Sequence, residues 1–146
     1  MEYIYNSRYI QDMHQQAKAD ALPPELNAIS GKIVAAAVQI HRRLGPGLLE
    51  NVYESCMAYE LQKRGLTVRR QVVVPITYDE LQFDEAYRLD LLVEEKVVVE
   101  LKAVTRINPV HEAQLLTYMK LTGHRLGLLL CFNNALMKQG IKRLVL

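Results

Sequence analysis

The sequence has no tryptophan, only two cysteines in 146 residues, and no long apolar run. Its longest apolar stretches, 33–38 and 126–132, are core-sized and fall short of the roughly 18 residues that mark a membrane-spanning helix. No membrane span is expected. The opening Met1-Glu2-Tyr3-Ile4-Tyr5-Asn6 lacks a basic stretch followed by an apolar one, so no signal peptide is expected either. Cys56 and Cys131 lie far apart in apolar surroundings, without zinc or redox spacing; they read as reduced core residues of a cytoplasmic protein. Internal repeats and low-complexity segments are absent. With 50% hydrophobic and 23% charged residues, the composition excludes disordered, collagen-like and disulfide-scaffold chains. The length suits one domain with a real core.

Net charge is nearly lacking too. Eighteen Lys and Arg against sixteen Asp and Glu leave +2, which by itself points to no partner. The distribution is uneven. Residues 79–100 hold Asp79, Glu80, Asp84, Glu85, Asp90, Glu94, Glu95 and Glu100 against only Arg88 and Lys96, a local −6 that leaves +8 for the rest. Basic pairs recur in that remainder: Arg42-Arg43, Lys63-Arg64, Arg69-Arg70 and Lys142-Arg143. Any one pair is ordinary solvated surface. Together, an acidic strip within a basic remainder suits a cation site inside an anion-binding surface.

Residues 1–24 are polar and weakly periodic and read as an N-terminal arm or peripheral helix; residues 25–146 read as the folded domain. Pro23-Pro24 can open a helix over 25–44, where Ile29, Ile33, Ala36, Ala37, Ile40 and Leu44 recur at helical spacing. Gly45-Pro46-Gly47 stops it. A second helix over 49–64 is expected to bury Leu49, Val52, Tyr53, Cys56 and Met57, with Gly65 as its cap. Strands are expected at 66–78, 86–93 and 97–104, with turns at Asp79-Glu80 and Glu94-Glu95-Lys96. A helix over 109–122, a buried strand over 126–132 and a last strand over 141–146 complete an α/β chain: a mixed central β-sheet flanked by helices.

Charges interrupt two of the apolar strands. In 97–104 the side chains alternate, so Glu100 and Lys102 share a face with Val98. Alone, that pattern fits an edge strand with one wet face. Asp90 changes the balance, because it interrupts Leu89-Asp90-Leu91-Leu92-Val93. A three-residue loop at 94–96 places Val93 opposite Val97 and Asp90 opposite Glu100; a two-residue loop would turn Asp90 away. We take the first register. Like charges opposed across strands are destabilising, and a hard cation such as Mg²⁺ reverses that penalty. Lys102, next to the pair, could stabilise phosphoryl charge or orient a water. Glu50 follows the glycine-rich turn; it is either a dipole-favoured first-turn acid or a further ligand carried from a helix to the sheet. His41 could reach the same region, though a satisfied or exposed histidine is the plainer reading. Gln114 and Tyr118, four apart, share a helix face flanked by Val110 and Leu121; on a core-facing stripe they form a buried pair or line the site.

Asp90, Glu100-Leu101-Lys102, Gln114 and Tyr118, in this order, resemble the PD-(D/E)XK nuclease superfamily, the Gln-x-x-x-Tyr element resembling its exonuclease-like branch. Gly47-Leu48-Leu49-Glu50-Asn51-Val52-Tyr53, 99–104, 109–116 and the ending 140–146 are similar to the GxxExxY family, over roughly residues 25–146. Leu89 stands where the superfamily name has proline. The resemblance implies a restriction-endonuclease-like core and a nuclease hydrolysing phosphodiester bonds in DNA or RNA. Asp90, Glu100 and the Leu101 carbonyl would hold Mg²⁺, with Mn²⁺ as a substitute. Lys102 would position the attacking water, Glu50 would complete the acidic site, and Gln114 and Tyr118 would support it. Nucleic acid is the implied partner. With no obvious separate target-recognition domain, weak sequence specificity or dependence on a homodimer or a partner protein is expected. Two competing readings remain: a catalytically inactive nucleic-acid-binding or assembly module, and a buried structural network of Asp90, Glu100 and Lys102.

Overall fold

The computed structural model describes residues 21–146, so the arm expected at 1–24 lies almost wholly outside the described residues. Helix α1 (Pro24–Leu44) begins on proline and buries Leu26, Ile29, Ile33, Ala36, Ala37 and Ile40, the helical stripe written in its sequence. His41, Arg42 and Arg43 fill its last turn, where cations complement the helix dipole. Gly45, at φ 70°, ends it. Helix α2 (Glu50–Lys63) stops at Gly65, φ 80°. Its buried face is the expected one in part: Tyr53 and Met57 are buried and Cys56 packs half-buried against the core. Leu49 and Val52 are 73% and 37% exposed, while Tyr53, Glu54, Met57, Ala58, Glu60 and Leu61 turn inward. Leu49 is the cap outside the helix, so the inward stripe starts one turn later.

Strands β1 (Val68–Tyr78) and β2 (Leu81–Val93) form a long hairpin about Asp79-Glu80, and β2 is joined to β3 (Val97–Lys102) through Glu94-Glu95-Lys96. Glu94 and Glu95 both take φ 54°, and the Glu94 carboxylate accepts the Thr67 N–H at 2.8 Å. Helix α3 (Pro109–Thr122) then crosses over to β4 (Leu126–Cys131), which lies parallel to β3, and a short 3₁₀ turn (Met137–Gly140) leads to β5 (Ile141–Val145), antiparallel to β4. The sheet order is β1-β2-β3-β4-β5. This is the mixed sheet between helices expected from the sequence, and it is consistent with a restriction-endonuclease-like core.

Helices α1 and α2 cover one face of the sheet with Leu91, Val93, Val97, Val99, Leu101, Leu126, Leu128 and Leu130. Helix α3 covers the other with Leu89, Leu92, Val98, Leu129 and Leu144. Strands β3 and β4 are therefore apolar on both faces, as parallel central strands are. Helix α3 turns Leu115, Leu116 and Met119 to the sheet. The stripe Val110, Gln114, Tyr118, Leu121 is thus not the core-facing one: Gln114 is exposed, Tyr118 half-buried and Leu121 55% exposed. β2 begins at Leu81 rather than 86 because residues 81–86 are all exposed and show no inward apolar face. Among the described residues, no helix is long and apolar enough to cross a membrane. Cys56 and Cys131 are both free.

Two glycines mark close approaches. A Cβ on Gly127 of β4 would meet the Met119 sulfur of α3 at 2.6 Å, and a flexible thioether can move aside. A Cβ on Gly140 would strike the Cys131 carbonyl oxygen, which is backbone and cannot. Gly140→Ala is therefore expected to lower stability by about 3 kcal/mol, and Gly127→Ala by about 1 kcal/mol, in urea denaturation. Equal losses would contradict this packing.

Candidate active site

The expected site residues converge where β2 and β3 stop pairing. Val93, Leu92 and Leu91 face Val97, Val98 and Val99, which is the three-residue-loop register, and the next rung brings Asp90 to Glu100. There side chains replace the backbone ladder. The Asp90 N–H donates to Glu100 Oε1 at 3.1 Å, and the Leu101 N–H donates to Asp90 Oδ2 at 2.8 Å. Each acid satisfies the backbone of the opposite strand.

A kink in β2 turns Asp90 into this position. On the β1 side the ladder runs Arg70–Leu91 and then Val72–Leu89, skipping Gln71–Asp90. Leu91 packs with α1 and α2 but Leu89 packs with α3, so β2 changes faces at Asp90. Gln71 takes φ 51°, a left-handed conformation that costs a non-glycine residue on the order of 1 kcal/mol or more. Its amide donates to Glu54 Oε2 at 2.9 Å and to Asp90 Oδ1 at 3.4 Å.

Glu50 arrives from α2. Gly47, at φ 98°, shapes the turn. Tyr53 is buried and stacks on Phe132, its hydroxyl donating to the Gly45 carbonyl at 2.6 Å and accepting the Leu48 N–H at 3.1 Å. So fastened, the first turn of α2 presents Glu50 to the end of β3, where it accepts the Ala103 N–H at 3.2 Å. Glu54, one turn on, is buried and takes Arg70 Nε at 3.0 Å. His41 stays out of the site. It is buried, and its Nε2 meets the Asn134 carbonyl at 2.8 Å.

On the α3 side, Glu100 is 3% exposed. The Tyr87 hydroxyl donates to it, and Tyr87 stacks on Tyr118. Tyr118 thus reaches the site through Tyr87, while Gln114 stands exposed one turn before it. His111, in the first turn of α3, accepts the Asn108 N–H through Nδ1 at 3.2 Å, and burial followed by the charge of Lys102 pushes its pKa down. Lys102 is half-buried and, among the described residues, makes no ion pair with a carboxylate. Its charge nevertheless acts on Glu50, Asp90 and Glu100.

All three carboxylates bind protons more tightly than usual. Burial, and next the charge of Asp90, push Glu100 up to about 8. Burial also raises Asp90, with Glu54 adding to the rise, and the Leu101 N–H, Lys102 and Gln71 oppose it. Glu50 is raised by burial of its carboxyl and by Asp90. Tyr87 lies above the ordinary phenol range, first from burial and then from the charge of Glu100. A buried structural ion network would show short Lys102–carboxylate contacts; none is present among the described residues.

The donor set suits a hard cation. Residue N–H and C=O groups of one strand position face the same neighbour, so the Leu101 carbonyl faces the side on which its N–H meets Asp90; the Lys102 carbonyl faces β4 and accepts the Phe132 N–H at 3.4 Å. Among the described residues no three His, Cys, Asp or Glu side chains form a ready-made cage. Two carboxylates and a carbonyl suit a cation that keeps several waters, as Mg²⁺ does.

The acidic strip is not one cation site. Of its eight acids only Asp90 and Glu100 belong to the cluster. Glu94 holds Thr67, Glu95 pairs with Arg69 and Glu85 with Arg88, while Asp79, Glu80 and Asp84 lie at the far end of the hairpin. Three contributors escaped the sequence reading. Glu54 carried a signal, four residues after Glu50 on one helix. Gln71 and Tyr87 carried none, because both depend on the kink at Asp90.

The raised Glu100 has a measurable consequence. Its folded-state pKa exceeds the unfolded one, so the metal-free folded protein holds the extra proton and loses stability as pH rises from about 4.5 to about 8. Asp90 and Glu50 act with the same sign. Glu100→Gln is expected to flatten this slope and to be more stable than wild type at pH 8, by a few kcal/mol at most. Urea midpoints measured across that range check it; parallel profiles would refute it.

Comparison with known protein families matches residues 27–144 to the PD-(D/E)XK nuclease superfamily. No curated protein and no solved structure matches the chain. The matched segment runs from α1 into β5 and contains Glu50, Asp90, Glu100 and Lys102. The chain belongs to the PD-(D/E)XK nuclease superfamily.

Proposed function

We propose that this chain is a Mg²⁺-dependent nuclease, active also with Mn²⁺, that hydrolyses phosphodiester bonds in DNA or RNA. The observation that carries the reading is the meeting of Asp90 and Glu100 at the splayed end of β2 and β3, with Lys102 beside them and unpaired. In this reading Asp90, Glu100 and the Leu101 carbonyl hold the cation, and Glu50 completes the acidic site. When bound, the cation supplies Lewis-acid polarisation of the phosphate and lowers the pKa of water.

The chain's own groups do the rest. Lys102, fixed on β3 and committed to no carboxylate, orients the attacking water and balances charge developing on the phosphoryl oxygens. Glu50 sits across the cluster from β2 and can accept the proton that the water gives up. Tyr87 donates to Glu100 and holds its carboxylate in place, with Tyr118 stacked behind it; Gln114, exposed on the same helix, is left facing the substrate. Membership of the GxxExxY family is part of the proposal. Its motif has a physical sense here: Gly47 makes the turn, Glu50 reaches β3, and Tyr53 locks the loop that carries them.

The test is cleavage of single- and double-stranded DNA and RNA with Mg²⁺ or Mn²⁺ and with a chelator. Asp90→Ala, Glu100→Ala and Lys102→Ala are each expected to lose at least about a hundredfold in rate. Equal cleavage by wild type and variants would sink the proposal. Salt-sensitive binding without turnover would favour an inactive nucleic-acid-binding module instead. A second measurement separates ligands from the lysine. Mn²⁺ is expected to raise the melting temperature of wild type and of Lys102→Ala, but not of Asp90→Ala or Glu100→Ala.

A further inference from the structure

The distal half of the β1–β2 hairpin is an amphipathic ribbon with an uncovered apolar face. Past the Val74–Tyr87 rung, which packs with α3, Ile76 pairs with Phe83 and Tyr78 with Leu81. Opposed residues, and residues two apart, share a face. These four therefore make one apolar patch, with Thr77 and Gln82 on the reverse. Tyr78, Leu81 and Phe83 are 68%, 59% and 47% exposed. From Tyr87 back to Leu81 the ribbon extends about 20 Å by strand rise. An isolated two-stranded ribbon is marginal in water, and a contiguous exposed apolar patch marks a contact surface. Its rim is acidic. Asp79, Glu80 and Asp84 have no ion-pair or hydrogen-bond partner among the described residues, and Glu85 is paired with Arg88.

The matching surface lies on α1 and α2. A groove of about 330 Å³ runs between them, lined by Ile40, Arg43 and Leu44 of α1 and by Ser55, Cys56, Tyr59 and Glu60 of α2, with Leu44 45% and Tyr59 62% exposed. Glu60 is engaged there by Lys63 and Arg64, which leaves Arg43, among the described residues, as the free charge of the groove, with Arg42 lining the adjoining hollow. Lys63 and Arg64 pair with Glu60, Arg69 with Glu95, Arg70 with Glu54, Lys142 with Glu112, and Arg143 with Asn27. Arg42 and Arg43 alone of the four basic pairs have no such partner among the described residues.

We propose that the hairpin arm of one copy docks in the α1–α2 groove of a second copy, and reciprocally, giving a two-fold dimer. The chain carries both halves of the contact, an apolar ribbon with free acids at its tip and an apolar groove whose free charges are Arg43 and the neighbouring Arg42, and each is open in the single copy. The acidic rim disfavours a phosphate backbone as the arm's occupant. Because β2 continues from the arm to Asp90, and α1 leads through the Gly45–Gly47 turn to Glu50, the contact anchors both elements that bring acids to the site.

Sedimentation velocity and light scattering on the full chain test this. Wild type is expected at twice the 16.7 kDa chain mass. The exposed-residue variants Leu81→Ser/Phe83→Ser and Arg42→Glu/Arg43→Glu are expected to weaken association at least about tenfold, with circular dichroism unchanged. Adding Asp79→Lys/Glu80→Lys to the arginine reversal is expected to restore the dimer. A wild type that stays monomeric at every concentration overturns the proposal, as does a dimer that survives both variants. So does an arginine reversal that loses nucleic-acid binding without any change in mass.

Discussion

Two like charges set at the end of a paired strand are the constraint on which the rest of this structure depends. Val97, Val98 and Val99 fit against Val93, Leu92 and Leu91 with apolar neighbours on both faces of the sheet. A slip of one residue would send Leu91 and Val93 to the α3 face and Leu92 to the other, so the register is strongly held. That same register carries Asp90 to Glu100. The sheet thus imposes the repulsion, and it cannot be relieved by sliding the strands. It is relieved in part by geometry: each carboxylate accepts a backbone N–H from the opposite strand, and protonation becomes easier for both.

The surroundings of the pair make sense as supports for that strained rung. Gln71 adopts a left-handed backbone opposite Asp90 and bridges it to Glu54. Glu54, itself buried, is held in turn by Arg70, so its charge is neutralised while the pair's is not. Tyr53 uses its hydroxyl twice within one turn of chain, and this holds the start of α2 against the end of β3. Tyr87 and Tyr118 stack over the α3 side. A protein maximising stability would fill Asp90 and Glu100 with valine or leucine; keeping a half-buried and a buried acid together without an ion-pair partner is what the proposed cation would compensate.

Most of the fold was legible because its signals were local. The helical stripe of α1, the glycines after each helix, the two turns of the meander and the apolar run of β4 each rest on spacing or on backbone preference. The register at Asp90 and Glu100 was legible for the same reason: a three-residue loop sets it. What could not be read depended on tertiary choices. The buried face of α2 was right at Tyr53, Cys56 and Met57 but wrong at Leu49 and Val52, which fit a stripe as well as Ala58 and Leu61 do, and only packing on the sheet decides between them. Gln114 and Tyr118 were placed on a core-facing stripe that the sheet assigns to Leu115 and Met119. The start of β2 was missed because a ribbon with no core behind it has no inward pattern. Tyr87 was missed because a strand that changes faces breaks the period-two rule linking it to its neighbours.

The near-neutral total conceals how differently its charges are used. The eight acids of residues 79–100 divide into three groups: Glu94 and Glu95 secure the tight turn before β3, Asp79, Glu80, Asp84 and the Arg88-paired Glu85 lie on an exposed ribbon, and Asp90 and Glu100 face each other. Most of the bases are likewise engaged within the chain, Arg70 on Glu54 and Lys142 on Glu112 among them. Net charge is therefore a poor guide to what this surface attracts; the informative charges are those left without an internal partner. On the described residues these include Lys102 beside the carboxylate pair, Arg42 and Arg43 beside an apolar groove, and the acids of the hairpin tip. In the proposed function the first meets a phosphate drawn to a cation, and in the proposed dimer the last two meet each other across an interface. On these proposals one chain separates the charge that does chemistry from the charge that does assembly, and β2 joins the two, with the hairpin tip at its start and Asp90 near its end.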